Sequence, residues 1–387
     1  MKSLDYDVII CGGGPGGSTA ALGFVDTNIR VAVIEKSNFP REKVCGDGIA
    51  GYVPKALNLI SPRFGNAFKE FKAQFPITHV GINSFEGKVS RVAFPGNWFI
   101  SPRYDFDNWL YQQAASLPNV TYFLQEQVTG LNMEEHAGRI TTDKGRTFTG
   151  KLIIGADGAS SLVRRLLTDY KMDPAYHCAA VRAYYTGVTG NDGCTFEVYF
   201  IPKYPNGYFW IFPSTDNQVN IGFGLPSDEV SQRKLKLREL LLDIIEDTPA
   251  LKKRFANATL VSDIKGWSIP FGYRKYPISG KRFMLIGDAA SIADPSTGEG
   301  IGQAIVSGRI AAFHAKDCFE QNDFSAANMK AYDKEIHRKF GRIHLKRRFY
   351  WHIITQQKWI LNLTIRLLSS TQVISGLIQK IIVRVAS

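Results

Sequence analysis

The chain opens on an apolar run, Val8 to Cys11, that ends in glycines and reads as a buried strand. The small residues 18–24 suit a helix, and Val31 to Glu35 gives a second apolar strand, so the pattern opens as a βαβ unit. Two more runs of this kind, 152–156 and 283–287, each lead into a Gly/Asp turn, at Asp157-Gly158 and at Asp288. Strands apolar on both faces belong in a parallel sheet covered by helices. Because these runs lie far apart, the pattern predicts one nucleotide-binding domain assembled from discontinuous segments.

Between 176 and 225 the pattern changes. Short strands rich in aromatic residues alternate with turns at Asn191-Asp192-Gly193, Pro205-Asn206-Gly207 and Asp216-Asn217, which predicts an antiparallel sheet. Residues 77–94 are expected to add strands to it. Helix is expected over 230–256, where Leu237, Leu240, Leu241, Ile244 and Ile245 share a face. From Thr371, Ile374, Leu377, Ile378, Ile381, Ile382 and Val385 form a helical stripe with Lys380 and Arg384 off it, an amphipathic basic helix.

Composition narrows the class. With 387 residues, 44% hydrophobic and 21% charged, the chain has enough apolar matter for one large or two interlocked domains, and no low-complexity tract points to disorder. The net charge of +12 is local: residues 336–387 carry ten lysines and arginines and no acid, against 37 bases and 35 acids elsewhere. That distribution argues against nucleic acid as a partner and for at most one local anionic one. Five scattered cysteines without a CxxC pair, and histidines without HxH or HxxxH spacing, give neither a disulfide framework nor a metal site. Without a signal-like leader or an apolar run of 18 residues, the expected location is the cytoplasm.

The strongest local motif is Gly12-x-Gly14-x-x-Gly17, after a strand and opening a helix, with Glu35 ending the next strand. Its glycines permit a tight turn, close approach of a pyrophosphate and close helix packing, while Glu35 is placed to accept from a ribose diol. This predicts a dinucleotide, FAD or NAD.

Two later segments extend the pattern. Residues 155–165, GADGASSLVRR, and 287–305, GDAASIADPSTGEGIGQAI, follow in the order found in FAD-dependent enzymes that resemble p-hydroxybenzoate hydroxylase. The stretches PREKVCGDGI (40–49), YFWIFP (208–213) and VNIGFG (219–224) resemble the geranylgeranyl reductase branch of that superfamily. The resemblance implies an α/β fold: a Rossmann-type FAD-binding domain from 1–75, 101–175 and 276–330, an antiparallel-sheet substrate domain from 76–100 and 176–275, and a basic helical C-terminal region, 331–387. It implies that FAD meets Gly12, Gly14, Gly17, Glu35, Lys36, Arg41, Gly46, Arg103, Val128, Asp157, Asp288, Gly298, Gly300 and Ile301. Backbone N–H groups at a helix start near Ile301 would stabilise the charge of reduced flavin.

Several of these residues admit a plainer reading. Asp157 either serves the cofactor or simply shapes its turn, and Arg103 either lines the cofactor or makes a surface ion pair. Tyr208, Trp210 and Phe212 alternate along a strand, so they share one face, which either walls an isoprenoid cavity or is sheet core. Cys45 lies in a Gly-rich turn; by resemblance it faces the substrate as the catalytic thiol, and otherwise it is a buried inert one.

The implied function is reduction of carbon–carbon double bonds in a prenyl or other lipid-like substrate by hydride from flavin, itself reduced by NAD(P)H or another carrier. The alternative is a flavin-dependent monooxygenase or halogenase. Halogenases carry G-W-x-W-x-I-P, from which Gly207 to Pro213 departs at Tyr208 and Phe212. For the basic tail three roles stay open: a lid on the flavin domain, a peripheral contact with the inner face of an anionic membrane, or a protein contact. Oligomeric state is not legible.

Overall fold

A computed structural model describes residues 3–84, 89–215, 217–272, 276–357, 359, 360, 362 and 363. Ser3–Cys11 sits inside an eight-stranded sheet, with Val31–Glu35 parallel on one side and Thr147–Gly155 parallel on the other. Phe283–Leu285 extends the sheet beyond Thr147–Gly155, and Val120–Leu124 extends it beyond Val31–Glu35, both again parallel. The apolar runs thus fall where a doubly covered sheet needs them: Val8, Ile9, Ile10, Val31, Ala32, Val33, Leu152, Ile153 and Ile154 are all fully buried. The chain leaves Ser3–Cys11 toward Val31–Glu35 while the much later Thr147–Gly155 lines its other side, so a crevice opens at its carboxyl end.

The covering helices are tight because their contact residues are small. Pro15–Leu22 lies against the 21-residue helix Ile301–Gln321 through Gly16, Ala20, Ala304 and Gly308. Arg103–Ala115 also packs on Pro15–Leu22.

The second sheet has nine strands. His177–Thr186, Gln218–Pro226, Tyr204–Pro213 and Thr195–Ile201 pair antiparallel in that spatial order. Phe75–Asn83 joins Thr195–Ile201 in parallel, and Val89–Ile100 follows antiparallel, so the expected strands from 77–94 belong to this sheet. Its far edge is Gly48–Ile49, which continues from the Cys45 turn. One face buries Phe209, Ile211, Ile221 and Phe223 against Leu240, Leu241, Ile244 and Ile245 of the helix Leu237–Asp247. By alternation, Tyr208, Trp210 and Phe212 occupy the opposite face.

The C-terminal region is helical through Ala326–Ile336, a π turn at His337–Gly341 and Arg342–Gln356. The last of these packs on Tyr204–Pro213. The stripe expected from Thr371 to Val385 lies outside the described residues. Among the described residues no helix is long and apolar enough to cross a membrane.

Candidate active site

The crevice at the end of Ser3–Cys11 is built by glycines. Gly12 has φ +105°, and a Cβ there would overlap the Ala156 carbonyl; one on Gly17 would overlap the Gly12 carbonyl. Gly14 ends the turn as N-cap of Pro15–Leu22 without a side chain to bond the helix's first N–H groups, which leaves them for an anion. Glu35 is buried and holds the turn in place: its Oε2 accepts Gly13 N–H at 2.8 Å and its Oε1 accepts Ser37 N–H at 2.9 Å. Lys36 beside it is exposed, and Val128 begins a strand next to Gln127 and Glu126, whose N–H bonds the Glu35 carbonyl at 3.0 Å.

Two arginines converge on Asp107. Arg103, only 8% exposed, makes a bidentate pair with it at 2.6 and 2.7 Å, and Arg41 Nη2 lies 3.1 Å away. The i,i+4 spacing on one helix explains the first pair, and the burial of both side chains shows that it is not a surface ion pair. Arg41 also lines the turn, 3.5 Å from where a Cβ on Gly14 would stand. Across the crevice, Asp157 Oδ2 accepts Leu162 N–H at 2.7 Å and Val163 N–H at 3.1 Å, starting the helix Leu162–Leu167. Its Oδ1, like Arg41 Nε, is buried with no hydrogen-bond partner among the described residues.

Asp288 follows Phe283–Leu285 and points toward Gly300, where an added Cβ would lie 3.4 Å from its Oδ1. Burial raises the Asp288 carboxyl, while Lys43, Arg103 and Arg164 pull it down. Lys43 is in turn lowered to about 7, first by burial and then by Arg103, with Asp288 and Cys45 opposing. Gly300 caps Ile301–Gln321 without a side chain, a second helix start aimed at the crevice. The glycine turn, the uncapped helix starts, the arginines and the unsatisfied polar atoms fit a long anionic dinucleotide such as FAD.

The antiparallel sheet supplies the far wall. Trp210 stacks 6.0 Å from Phe212 and lies 6.0 Å from Tyr208, all on the face turned to the Cys45 loop. A Cβ on Gly46 would lie 3.3 Å from the Phe212 ring. Across the strand pair, Gly222 leaves the space that the Trp210 indole occupies, which accounts for glycine in the VNIGFG stretch. Tyr208 Oη donates to the Thr297 carbonyl at 2.5 Å, so the wall meets the loop that carries Gly298.

Cys45 is partly buried, and its side chain interacts with Arg103 and Lys43. A buried polar network holds its turn. Asn220 Nδ2 donates to the Cys45 carbonyl and to Asp47 Oδ2, each at 2.8 Å, and its Oδ1 accepts Trp210 Nε1–H at 3.0 Å. Tyr184 donates to the same Asp47 oxygen, and Arg182 donates to the Lys43 carbonyl at 3.4 Å. Asp47 takes φ +62°, and burial raises its carboxyl against the Tyr184 and Asn220 hydrogen bonds.

Lys43, Asp47 and Asn220 lie within sequence stretches already singled out, yet sequence reasoning did not assign them roles. Tyr184 carried no signal. Nor did Arg347, which ion-pairs with Asp294 from the C-terminal helix, or Trp351, whose ring lies 5.8 Å from Tyr208. That helix therefore packs against the Tyr208 end of the aromatic wall. A further cysteine, Cys178, sits 3.1 Å from a Cβ placed on Gly224, opposite Tyr208, and burial pushes its thiol up to about 12.

Residues 5–308 match the family described as an FAD binding domain. The digeranylgeranylglycerophospholipid reductase of Methanocella arvoryzae is 30% identical over 357 residues, covering 88% of this chain and 85% of that protein. Digeranylgeranylglycerophospholipid reductase 2 of Methanopyrus kandleri is 27% identical over 364 residues, 88% and 84% of the two chains. Among solved structures, a geranylgeranyl bacteriochlorophyll reductase-like protein of Thermoplasma acidophilum superposes with a TM-score of 0.83 at 26% identity, over 96% of this chain and 93% of that one. A flavin-dependent brominase superposes with a TM-score of 0.73 at 22% identity over 94% and 93%, a likeness of fold alone. The chain belongs to the FAD-binding domain family, as an FAD-dependent oxidoreductase of the geranylgeranyl reductase type.

Proposed function

We propose that this protein saturates carbon–carbon double bonds of a prenyl chain or similar lipid-like substrate. The observation that carries the reading is the apolar wall of Tyr208, Trp210 and Phe212 ending at the Cys45–Gly46 turn, beside the loop of Gly298 to Ile301. Names of the relatives support it: they are reductases of a digeranylgeranyl lipid.

In this proposal Gly12, Gly14, Gly17, Glu35, Lys36, Arg41, Gly46, Arg103, Val128, Asp157, Asp288, Gly298, Gly300 and Ile301 hold FAD. When bound, FAD supplies the hydride, having received it from NAD(P)H or another reduced carrier. The residues do the rest. Glu35 fixes the turn that accepts the phosphates, and Arg41 and Arg103 offset their charge. The aromatic wall lays the alkene flat and excludes water, with little polar surface to compete. Asn220 and Asp47 hold the Cys45 turn, and the Cys45 thiol, or a water it orients, delivers the proton to the carbon that does not receive hydride. Hydride and proton together add one H₂ across the bond, so the charge balances.

The C-terminal helix extends the proposal. Leu345, Phe349 and Tyr350 are 48%, 61% and 50% exposed, and Arg342 and Lys346 are exposed beside them. Apolar and basic groups on one helix suit a peripheral contact with an anionic lipid surface. In this reading the protein works in the cytoplasm, at the inner face of the membrane, and the same helix packs beside the aromatic wall.

The test is oxygen dependence. Reduced protein incubated without oxygen is expected to saturate a prenyl lipid and to leave aromatic compounds unchanged. If prenyl lipids stay intact and an aromatic compound is hydroxylated or halogenated only in air, the reading is wrong.

A further inference from the structure

Glu299 stands between Gly298 and Gly300, at the start of the helix Ile301–Gln321. Its Oε1 accepts Gly302 N–H at 2.6 Å and its Oε2 accepts the Tyr52 hydroxyl at 3.0 Å. Tyr52 comes from the segment after the Cys45 turn, so the pair links the two loops that flank the site.

Charges around Glu299 are unequal. Asp294 faces it, and Asp294 is itself bonded by Ser296 N–H at 2.8 Å, Ser296 Oγ at 2.6 Å and Thr297 N–H at 3.0 Å, and ion-paired with Arg347. His344, on the helix that carries Arg347, adds to the field at Asp294. Arg347 is thus engaged by Asp294, and among the described residues no cation forms an ion pair with Glu299. Burial, then Asp294, raises the Glu299 carboxyl to about 7 against the pull of Gly302, Tyr52 and Gln303. A carboxyl bonded by donors but lacking a counter-charge is ready to exchange a proton near neutrality.

We propose that Glu299 is a redox-linked proton acceptor: it binds one proton from water when the cofactor held beside Gly298 and Ile301 gains its hydride. The inference rests on that placement of the loop beside the cofactor. A hydride brings two electrons and one proton, hence one net negative charge. The helix start offers its field to that charge, and an ionised Glu299 competes for the same field by occupying Gly302 N–H. Conversion of carboxylate to carboxylic acid by one proton cancels the added charge, and the proton is returned to water once the hydride has passed to the substrate. Glu299 is here a positioning residue for charge, one that touches no substrate.

The experiment uses flavin-loaded full-length protein, wild type, Glu299→Gln and Tyr52→Phe, reduced anaerobically with dithionite while proton uptake is followed by an indicator dye. Wild type is expected to bind up to one proton more per two electrons than Glu299→Gln, with the largest difference between about pH 7 and 8.5. Loss of a hydrogen bond to the carboxylate in Tyr52→Phe moves that window to higher pH. Equal proton counts in wild type and Glu299→Gln overturn the inference, and so does an unmoved window in Tyr52→Phe, which decides the matter if Glu299→Gln loads no flavin. Dithionite needs no substrate, so a protein that shows the proton difference yet leaves prenyl lipids intact keeps this inference and loses the proposed function.

Discussion

The amide of Asn220 donates to the carbonyl of Cys45 at 2.8 Å, across 175 residues of sequence, and so fastens the Cys45 turn to the aromatic wall. The same amide reaches Asp47, and its oxygen takes the Trp210 indole N–H. One side chain therefore sets the thiol turn and the substrate wall relative to each other. Asn220→Ala is expected to lower stability by about 1–3 kcal/mol, because it strips a buried carboxyl and an indole of partners. Thermal unfolding checks this, and faster alkylation of Cys45 by iodoacetamide would show that the turn has loosened.

Glu35 organises the phosphate turn through Gly13 N–H and Ser37 N–H. Glu35→Ala removes both bonds and the acceptor proposed for the ribose, a loss of about 1–3 kcal/mol or roughly 5- to 150-fold in Kd. Flavin absorbance of the purified variant and titration with FAD measure it.

Lys43 gives a pH dependence to the protein stripped of flavin. Its folded value, lowered to about 7 chiefly by burial, lies below the unfolded value, so the unfolded chain binds more protons between these limits and stability rises with pH across about 7 to 10. Lys43→Met is expected to flatten that rise. A difference between the two proteins that stays constant with pH would contradict it.

The C-terminal helix is pinned by Arg347 on Asp294 and by Trp351 on Tyr208 and Phe200, rings 5.8 and 5.7 Å away. Burial works to raise the Asp294 carboxyl, yet Arg347, His344 and the Ser296 hydrogen bond together hold it below its usual range. Its stabilising contribution is present above the unfolded value of about 4 and is lost as pH falls through the lower folded value. Arg347→Gln and Trp351→Ala should each speed hydrogen exchange across residues 342–356 at neutral pH, with the sheet amides of 218–226 unchanged.

The parts of the fold legible in the sequence are those whose cause is local. Gly12 to Glu35 spells its turn, helix and acid within a short stretch, and the apolar runs at 152–156 and 283–287 show burial on both faces without reference to neighbours. The shared face of Tyr208, Trp210 and Phe212 follows from alternation alone. What lies behind Trp210 does not: Gly222 is its partner across a strand pair, and only pairing shows why glycine stands there. The Asp47 network escaped for the same reason, since Tyr184 and Asn220 reach it over 137 and 173 residues. For the C-terminal helix the sequence left three roles open, because its docking depends on Asp294, a loop acid that nothing nearby in sequence marks as a partner of Arg347.

The central claim is hydride transfer from bound flavin to a prenyl alkene, and single-turnover reduction tests it most directly. Pre-reduced protein, free of excess reductant and of oxygen, is mixed with a geranylgeranyl-bearing lipid, and flavin absorbance and lipid mass are read together. The account predicts that one double bond gains H₂ for each flavin reoxidised, and that Cys45→Ala slows this step while still binding FAD. Flavin that stays reduced beside an unaltered lipid would contradict it.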